Sequence, residues 1–128
     1  MSSHRTVINS PDSPQSPLYS QAIQAGNTLY LSGLIGFTTK REMAGPGIEE
    51  QTHQILKNLH AVLKAGNSSI DRLIKVNIFL LSMNDYAAVN EIYSKTFPHN
   101  PPARTCIAVV GLPFNAKIEI DAVALVAE

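Results

Sequence analysis

The chain has 128 residues, enough for one domain with a real hydrophobic core, and its 45% hydrophobic and 16% charged content excludes a disordered polymer. Ten basic residues balance ten acidic ones, so no long-range field draws the chain to nucleic acid or to an anionic membrane. Cys106 is the single cysteine, which excludes an intrachain disulfide and points to a reducing compartment.

Thr6 to Ile8 predicts a short edge strand, and the Pro- and Ser-rich Ser10 to Pro17 a loop. "SQAIQAGNTLYLSGLIG" predicts a hairpin turning at Gly26-Asn27, with Leu29, Leu31 and Gly33 on one face of the second arm and Tyr30 and Ser32 on the other. Phe37 to Gly47 is a polar loop. Ile48 to Ala65 is the clearest helix: Ile48, Ile55, Leu56, Leu59, Val62 and Leu63 form one apolar stripe, Glu49 and Glu50 occupy the first turn, and Gly66 caps the end. "IDRLIKVNIFLL" reads as a strand, with Ile74, Val76, Ile78 and Leu80 on one face and Lys75, Asn77, Phe79 and Leu81 on the other. A second helix starts near Ser82, where Ser82-x-x-Asp85 resembles a capping box; Tyr86, Val89, Tyr93 and Phe97 make its stripe and Pro98 ends it. Arg104 opens a last pair of apolar runs, read as a hairpin folding about Leu112 to Asn115.

The order β-β-α-β-α-β-β, without a linker or low-complexity tract, predicts a single α+β domain over residues 1–128, a sheet with two helices on one face. The strands are apolar on both sides. The uncovered face must be buried elsewhere, which predicts a homo-oligomer with sheets packed together. The longest apolar runs, such as Ile78 to Leu81, are far too short to span a bilayer, so no membrane partner is expected. "MSSHRTVINS" lacks the apolar stretch of a secretory signal; the expectation is a cytoplasmic protein, with a mitochondrial address the alternative.

Two charges in the closing segment are candidates for chemistry. Pro101 and Pro102 stiffen the backbone before Arg104, which shares a strand side with Cys106; a guanidinium so held suits bidentate binding of a carboxylate or phosphate, or else pairs with an acid in an interface. Glu119, in an Ile-Glu-Ile context, could orient a water as a general base, or be an edge-strand acid paired with Lys117 or Asp121. Asn90 lies in the apolar stripe of the second helix and needs a polar partner, in a ligand or a loop. The backbone of Ser32-Gly33 could face a ligand or serve close packing. Cys106, with no histidine nearby, reads as a small buried residue rather than a nucleophile. His53 and His60 stand two helical turns apart beside Lys57 and Lys64, too far for one metal, and read as a solvated face; no metal site is expected.

"PARTCIAVVGLP" followed by "IEIDAVAL", "YSQA" at Tyr19 to Ala22, "LYLSGLIG" and "IKVNIFLLSMNDYAAVNEIY" together resemble the RidA family (YjgF/YER057c/UK114), most closely its eukaryotic, fungal members, over roughly Ser16 to Ala127. The resemblance implies a chorismate-mutase-like α+β fold, a mixed sheet with two helices on one face, and a homotrimer whose sheets pack into a central barrel with clefts between subunits. It implies hydrolysis of reactive 2-imino or enamino acids (2-iminobutanoate, 2-iminopropanoate) to 2-keto acids and ammonia, with no cofactor because an iminium is already electrophilic. By position, Arg104 would bind the substrate carboxylate and Glu119 would hold the water; Tyr19, Ser32, Gly33, Asn90 and Cys106 match other cleft positions. The competing readings are a non-enzymatic binding or regulatory trimer, and a ribonuclease, translation inhibitor or chaperone-like protein; zero net charge and the lack of an aromatic-basic stripe argue against RNA.

Overall fold

Gly26, at φ 60°, turns strand β2 (Ala22–Ala25) into β3 (Thr28–Leu34), the hairpin expected from the sequence. The computed structural model describes residues 4–128. An edge strand β1 (Arg5–Ile8) precedes this hairpin, and helix α1 (Ile48–Ala65), strand β4 (Leu73–Leu80), helix α2 (Tyr86–Thr96), strand β5 (Ala103–Ala108) and strand β6 (Ile118–Leu125) follow. The six strands form one mixed sheet in the order β1-β2-β3-β6-β4-β5, antiparallel except for the β4–β5 pair, which α2 joins by a crossover.

α1 forms where its apolar stripe is longest. Ile55, Leu59, Val62 and Leu63 are at most 1% exposed. The Glu50 carboxylate accepts the Gly47 N–H at 3.0 Å at its start, and the Gly66 N–H donates to the Val62 and Leu63 carbonyls at its end. Its apolar stripe packs on Leu29, Ile78, Ile118 and Ile120 from one side of the sheet, each fully buried aliphatic side chain contributing roughly 1.5–3 kcal/mol. The Ser82 hydroxyl accepts the Asn84 N–H at 3.1 Å, starting a short 3₁₀ turn from which α2 continues. Val89, Tyr93 and Phe97 are buried as the stripe requires, whereas Tyr86 is 38% exposed.

Three expectations are corrected. Residues 103–108 and 118–125 do not pair as a hairpin: β4 lies between them, bonded in parallel to β5 and antiparallel to β6. The connection over residues 109–117 is too long for a tight hairpin turn, and it wraps the end of β4, where Val109 N–H donates to the Leu80 carbonyl and Leu81 N–H to that of Lys117. Ile74 faces outward at 42% exposure and Leu73 takes the inner position, because the register against β6 shifts between Leu73 and Lys75. Gly33 does not share a side with Leu29 and Leu31. The register of β3 on β6 shifts between Leu31 and Leu34, so Leu31 and Leu34 both face the helices while Ser32 and Gly33 turn to the far side.

Among the described residues no helix covers that far side. Val7, Tyr30, Ile107 and Leu125 are 45–52% exposed on it, and Phe79 and Val123 are half-buried among them. It is an apolar surface of the kind that mediates association.

Candidate active site

Glu119 is carried by β6, a strand whose alternate residues Ile118, Ile120, Ala122 and Ala124 are buried under the helices. Alternation therefore sends Glu119 to the uncovered side, opposite Phe79 of β4. The bulge in β3 places Gly33 against it. A Cβ on Gly33 would lie 2.6 Å from Oε2 of Glu119, so the absence of a side chain is what makes room for the carboxylate. Half-burial pushes the Glu119 carboxyl above its ordinary range, and the neighbouring charge of Asp121 adds to the rise. Asp121 is itself held, its Oδ1 accepting from Asn77 Nδ2 at 2.8 Å. Among the described residues neither Lys117 nor any other cation pairs with Glu119.

A cavity opens in front of this carboxylate, bounded by Tyr19, Ser32, Gly33, Phe37, Phe114 and Glu119. Ser32 contributes its side chain rather than a free backbone donor: its N–H donates to the Gln21 carbonyl at 2.9 Å and its hydroxyl to the Ser20 carbonyl at 2.7 Å. The expected vacant N–H at Ser32 is thus already used, and the hydroxyl keeps its lone pairs for a ligand. Tyr19 stands 54% exposed on the loop before β2. That loop is fastened by Gln21, 3% exposed, whose Oε1 accepts the Ser10 N–H at 2.6 Å and whose Nε2 donates to the carbonyls of Ser10, Ser13 and Pro14 at 2.9–3.0 Å. Phe114 sits at φ 56°, followed by Asn115 at the same φ, a left-handed pair that turns its ring onto Phe37 at 4.9 Å between centroids. Sequence reading missed Gln21, Phe37 and Phe114, since nothing in a loop's composition says which of its residues will fold back over a strand.

Arg104, Cys106 and Asn90 lie elsewhere. Arg104 is opposite Val76 and Cys106 opposite Ile78, both inward-facing, so this pair looks toward α2 on the helix side of the sheet. The Arg104 guanidinium lies 4.8 Å from the ring centroid of Tyr93 and 5.6 Å from that of Tyr86, and Nη2 donates to the Tyr86 hydroxyl at 3.1 Å. Burial raises the Cys106 thiol, with Arg104 only partly opposing, so the group stays a neutral thiol rather than a nucleophilic thiolate. Asn90 makes no helix-to-loop bond: its Oδ1 is buried and unpartnered, as is the Tyr93 hydroxyl one turn further on.

The seven residues thus fall into two groups, Tyr19, Ser32, Gly33 and Glu119 on one face and Asn90, Arg104 and Cys106 on the other. Glu119 pairs with Phe79 and Phe79 with Ile107, so Arg104 is two strands across, about 10 Å, and three residues along, about 10 Å, besides being on the opposite side. One protomer does not bring the carboxylate and the guanidinium together. Among the described residues no group of three His, Cys, Asp or Glu side chains could hold a metal ion, and no helix is long and apolar enough to cross a membrane.

The model of the family described as Endoribonuclease L-PSP matches residues 9–126. The mitochondrial protein mmf1 of Schizosaccharomyces pombe is 42% identical over 126 residues, covering 96% of this chain and 77% of that protein. A 2-iminobutanoate/2-iminopropanoate deaminase of Dermatophagoides farinae is 38% identical over 127 residues, covering 97% and 98% of the two chains. The crystal structure of yeast Mmf1 superposes with a TM-score of 0.94 at 34% identity, over 97% of this chain and all of that one.

Proposed function

The chain belongs to the RidA family, the one described as Endoribonuclease L-PSP, and from that premise we propose that it is an imine deaminase converting 2-imino acids to 2-keto acids and ammonia in clefts between the protomers of a homotrimer. The observation that carries this reading is the division of the site. A carboxylate at a cavity and an acid-free guanidinium lie on opposite faces of one sheet, each lacking what the other supplies. Rotational assembly sets one protomer's Arg104 face against the next one's Glu119 cavity, and it also covers the apolar face that holds Tyr30, Ile107 and Leu125. The Dermatophagoides relative's name supports 2-iminobutanoate and 2-iminopropanoate as substrates. Zero net charge supports a small organic acid over RNA.

The chemistry follows from the groups. Arg104 binds the α-carboxylate through two parallel N–H donors and so fixes the imine carbon in front of Glu119. Glu119 takes a proton from water as its oxygen bonds to that carbon, and the C=N π pair moves to nitrogen. The protonated Glu119 then gives the proton to the amine; as the C–N bond breaks and ammonia leaves, Glu119 takes the hydroxyl proton, the O–H pair forms the keto C=O, and that proton passes on to the ammonia. A carboxyl whose pKa is raised by burial serves both transfers better than an ordinary one. The unpartnered Asn90 Oδ1 accepts an iminium N–H, and Tyr19, Ser32 and Gly33 shape the pocket beside Glu119. Cys106 contributes a neutral wall.

The test generates imine in situ with an amino-acid oxidase and lets semicarbazide compete for what survives. Arg104→Ala is expected to lower kcat/KM at least about a hundredfold, about 3 kcal/mol. Undiminished activity in that variant refutes the mechanism. For location, the lone thiol supports the cytoplasm and the name of the S. pombe protein supports the mitochondrion; fractionation of cells expressing the tagged chain decides.

A further inference from the structure

Arg104 is held by two phenols and by no acid. Among the described residues Lys95 pairs with Glu91 at 3.9 Å, and no ion pair involves Arg104. Its guanidinium instead rests against the rings of Tyr93 and Tyr86, and Nη2 donates to the Tyr86 hydroxyl at 3.1 Å. The two tyrosines do different things. Tyr93 is 9% exposed, part of the core, and packed against Phe97 in a tilted pair with centroids 4.6 Å apart, so its ring would be needed for packing with or without an arginine above it. Tyr86 is 38% exposed and absent from the core cluster, although the helix stripe places it one turn before Val89. Packing does not account for its position; the contact with Arg104 does.

We propose that Tyr86 is a positioning residue for Arg104, holding the guanidinium plane in place with its ring and its hydroxyl so that the remaining N–H donors face the carboxylate of a 2-keto or 2-imino acid. The inference rests on the carboxylate-binding role given to Arg104 above. Two physical points favour a phenol for this task. An arginine free to rotate loses that freedom when it binds, and a side chain already fixed avoids the loss. An aspartate or glutamate at the same position would fix Arg104 equally well but would neutralise its charge and compete with the ligand for the same fork. The neutral hydroxyl accepts one N–H and leaves the positive charge unspent. Tyr86 touches Arg104, not the reacting atoms, so its effect belongs to binding and not to the hydrolytic step.

The experiment measures calorimetric affinity for 2-oxobutanoate together with steady-state deamination, in the wild type, Tyr86→Phe, Arg104→Lys and the double variant. Tyr86→Phe keeps the ring and removes the hydroxyl. It is expected to weaken 2-oxobutanoate about three- to tenfold and raise KM by the same factor, with kcat and Tm unchanged. In the Arg104→Lys background the same change is expected to have little further effect, because the hydroxyl has lost the fork it held. Unchanged affinity in Tyr86→Phe overturns the proposal, as does an equal loss in both backgrounds, which would make Tyr86 a structural residue or a direct ligand. A wild type that binds 2-oxobutanoate without deaminating imines overturns the proposed reaction and leaves Tyr86 testable by affinity alone. A wild type that binds no keto acid overturns both.

Discussion

Mixing two inactive variants tests the divided site most directly. In Arg104→Ala the guanidinium is lost and the Glu119 cavity stays whole; in Glu119→Ala the reverse holds, because the two residues are on opposite faces and about 14 Å apart in the sheet plane alone. If each cleft takes Arg104 from one protomer and Glu119 from its neighbour, randomly reassembled equimolar oligomers contain clefts with both groups intact. Each group has an even chance of being intact in a given cleft, so activity per protomer should return to about a quarter of wild type, whatever the size of the closed ring. The variants are unfolded together, refolded and assayed with the imine trap, and native mass spectrometry of isotopically distinct protomers confirms co-assembly. A co-assembled mixture no more active than its parents refutes the division of labour. A within-protomer site would give that result, since every chain then carries one lesion.

Gly33→Ala drives a methyl group to 2.6 Å from Glu119 Oε2 and should lower kcat by about tenfold or more while Tm changes little, because the clash is with a movable carboxylate beside a cavity; an unaltered pH–rate profile and rate would remove Gly33 from the site. The raised Glu119 pKa predicts an acid limb in kcat/KM that lies above the ordinary carboxylate range, with activity rising as pH rises through it, and Glu119→Gln should abolish both the activity and the limb. The same shift has a stability consequence of fixed sign. The folded state holds the proton more tightly than the unfolded one, so this group's favourable contribution is present below about pH 4.5 and lost as pH rises through the folded value; thermal melts should show Glu119→Gln stabilised relative to wild type at neutral pH and not at pH 4. Gln21→Ala strands the Ser10 N–H and three carbonyls that the amide now satisfies, and should cost about 1–3 kcal/mol by urea unfolding, with weaker keto-acid binding as the Tyr19 loop loosens; unchanged stability would contradict the anchoring role.

The helices, the β2–β3 hairpin and the inner positions of β4 and β6 could be read from the sequence because their burial follows a period of 3.6 or 2, which a single chain displays openly. Ile74 and Gly33 were misplaced for one shared reason. Each lies at a register shift, where one additional residue reverses the alternation, and no composition marks it. The β5–β6 hairpin failed because apolar runs state that a strand exists, not which neighbour it joins; β6 fills the slot between β3 and β4 and leaves β5 on the edge. Arg104 and Glu119 stood out as charges in apolar strands. Their separation onto two faces depends on that strand order, so it was beyond reach of the sequence. Tyr86 and Tyr93 belong to the apolar stripe of α2, and a stripe of aromatics does not reveal that a cation will lie on it.

The additional residue in β3 separates two demands that strict alternation would force into conflict. With Leu31 and Leu34 both turned inward, the adjacent positions 32 and 33 are released together to the opposite surface. The floor of the cavity is therefore set by two adjacent residues that take nothing from the oily layer beneath it. A change at Ser32 alters the cavity wall and leaves the core layer intact, whereas successive changes along unbroken β6 would alternate between cavity face and core at every step.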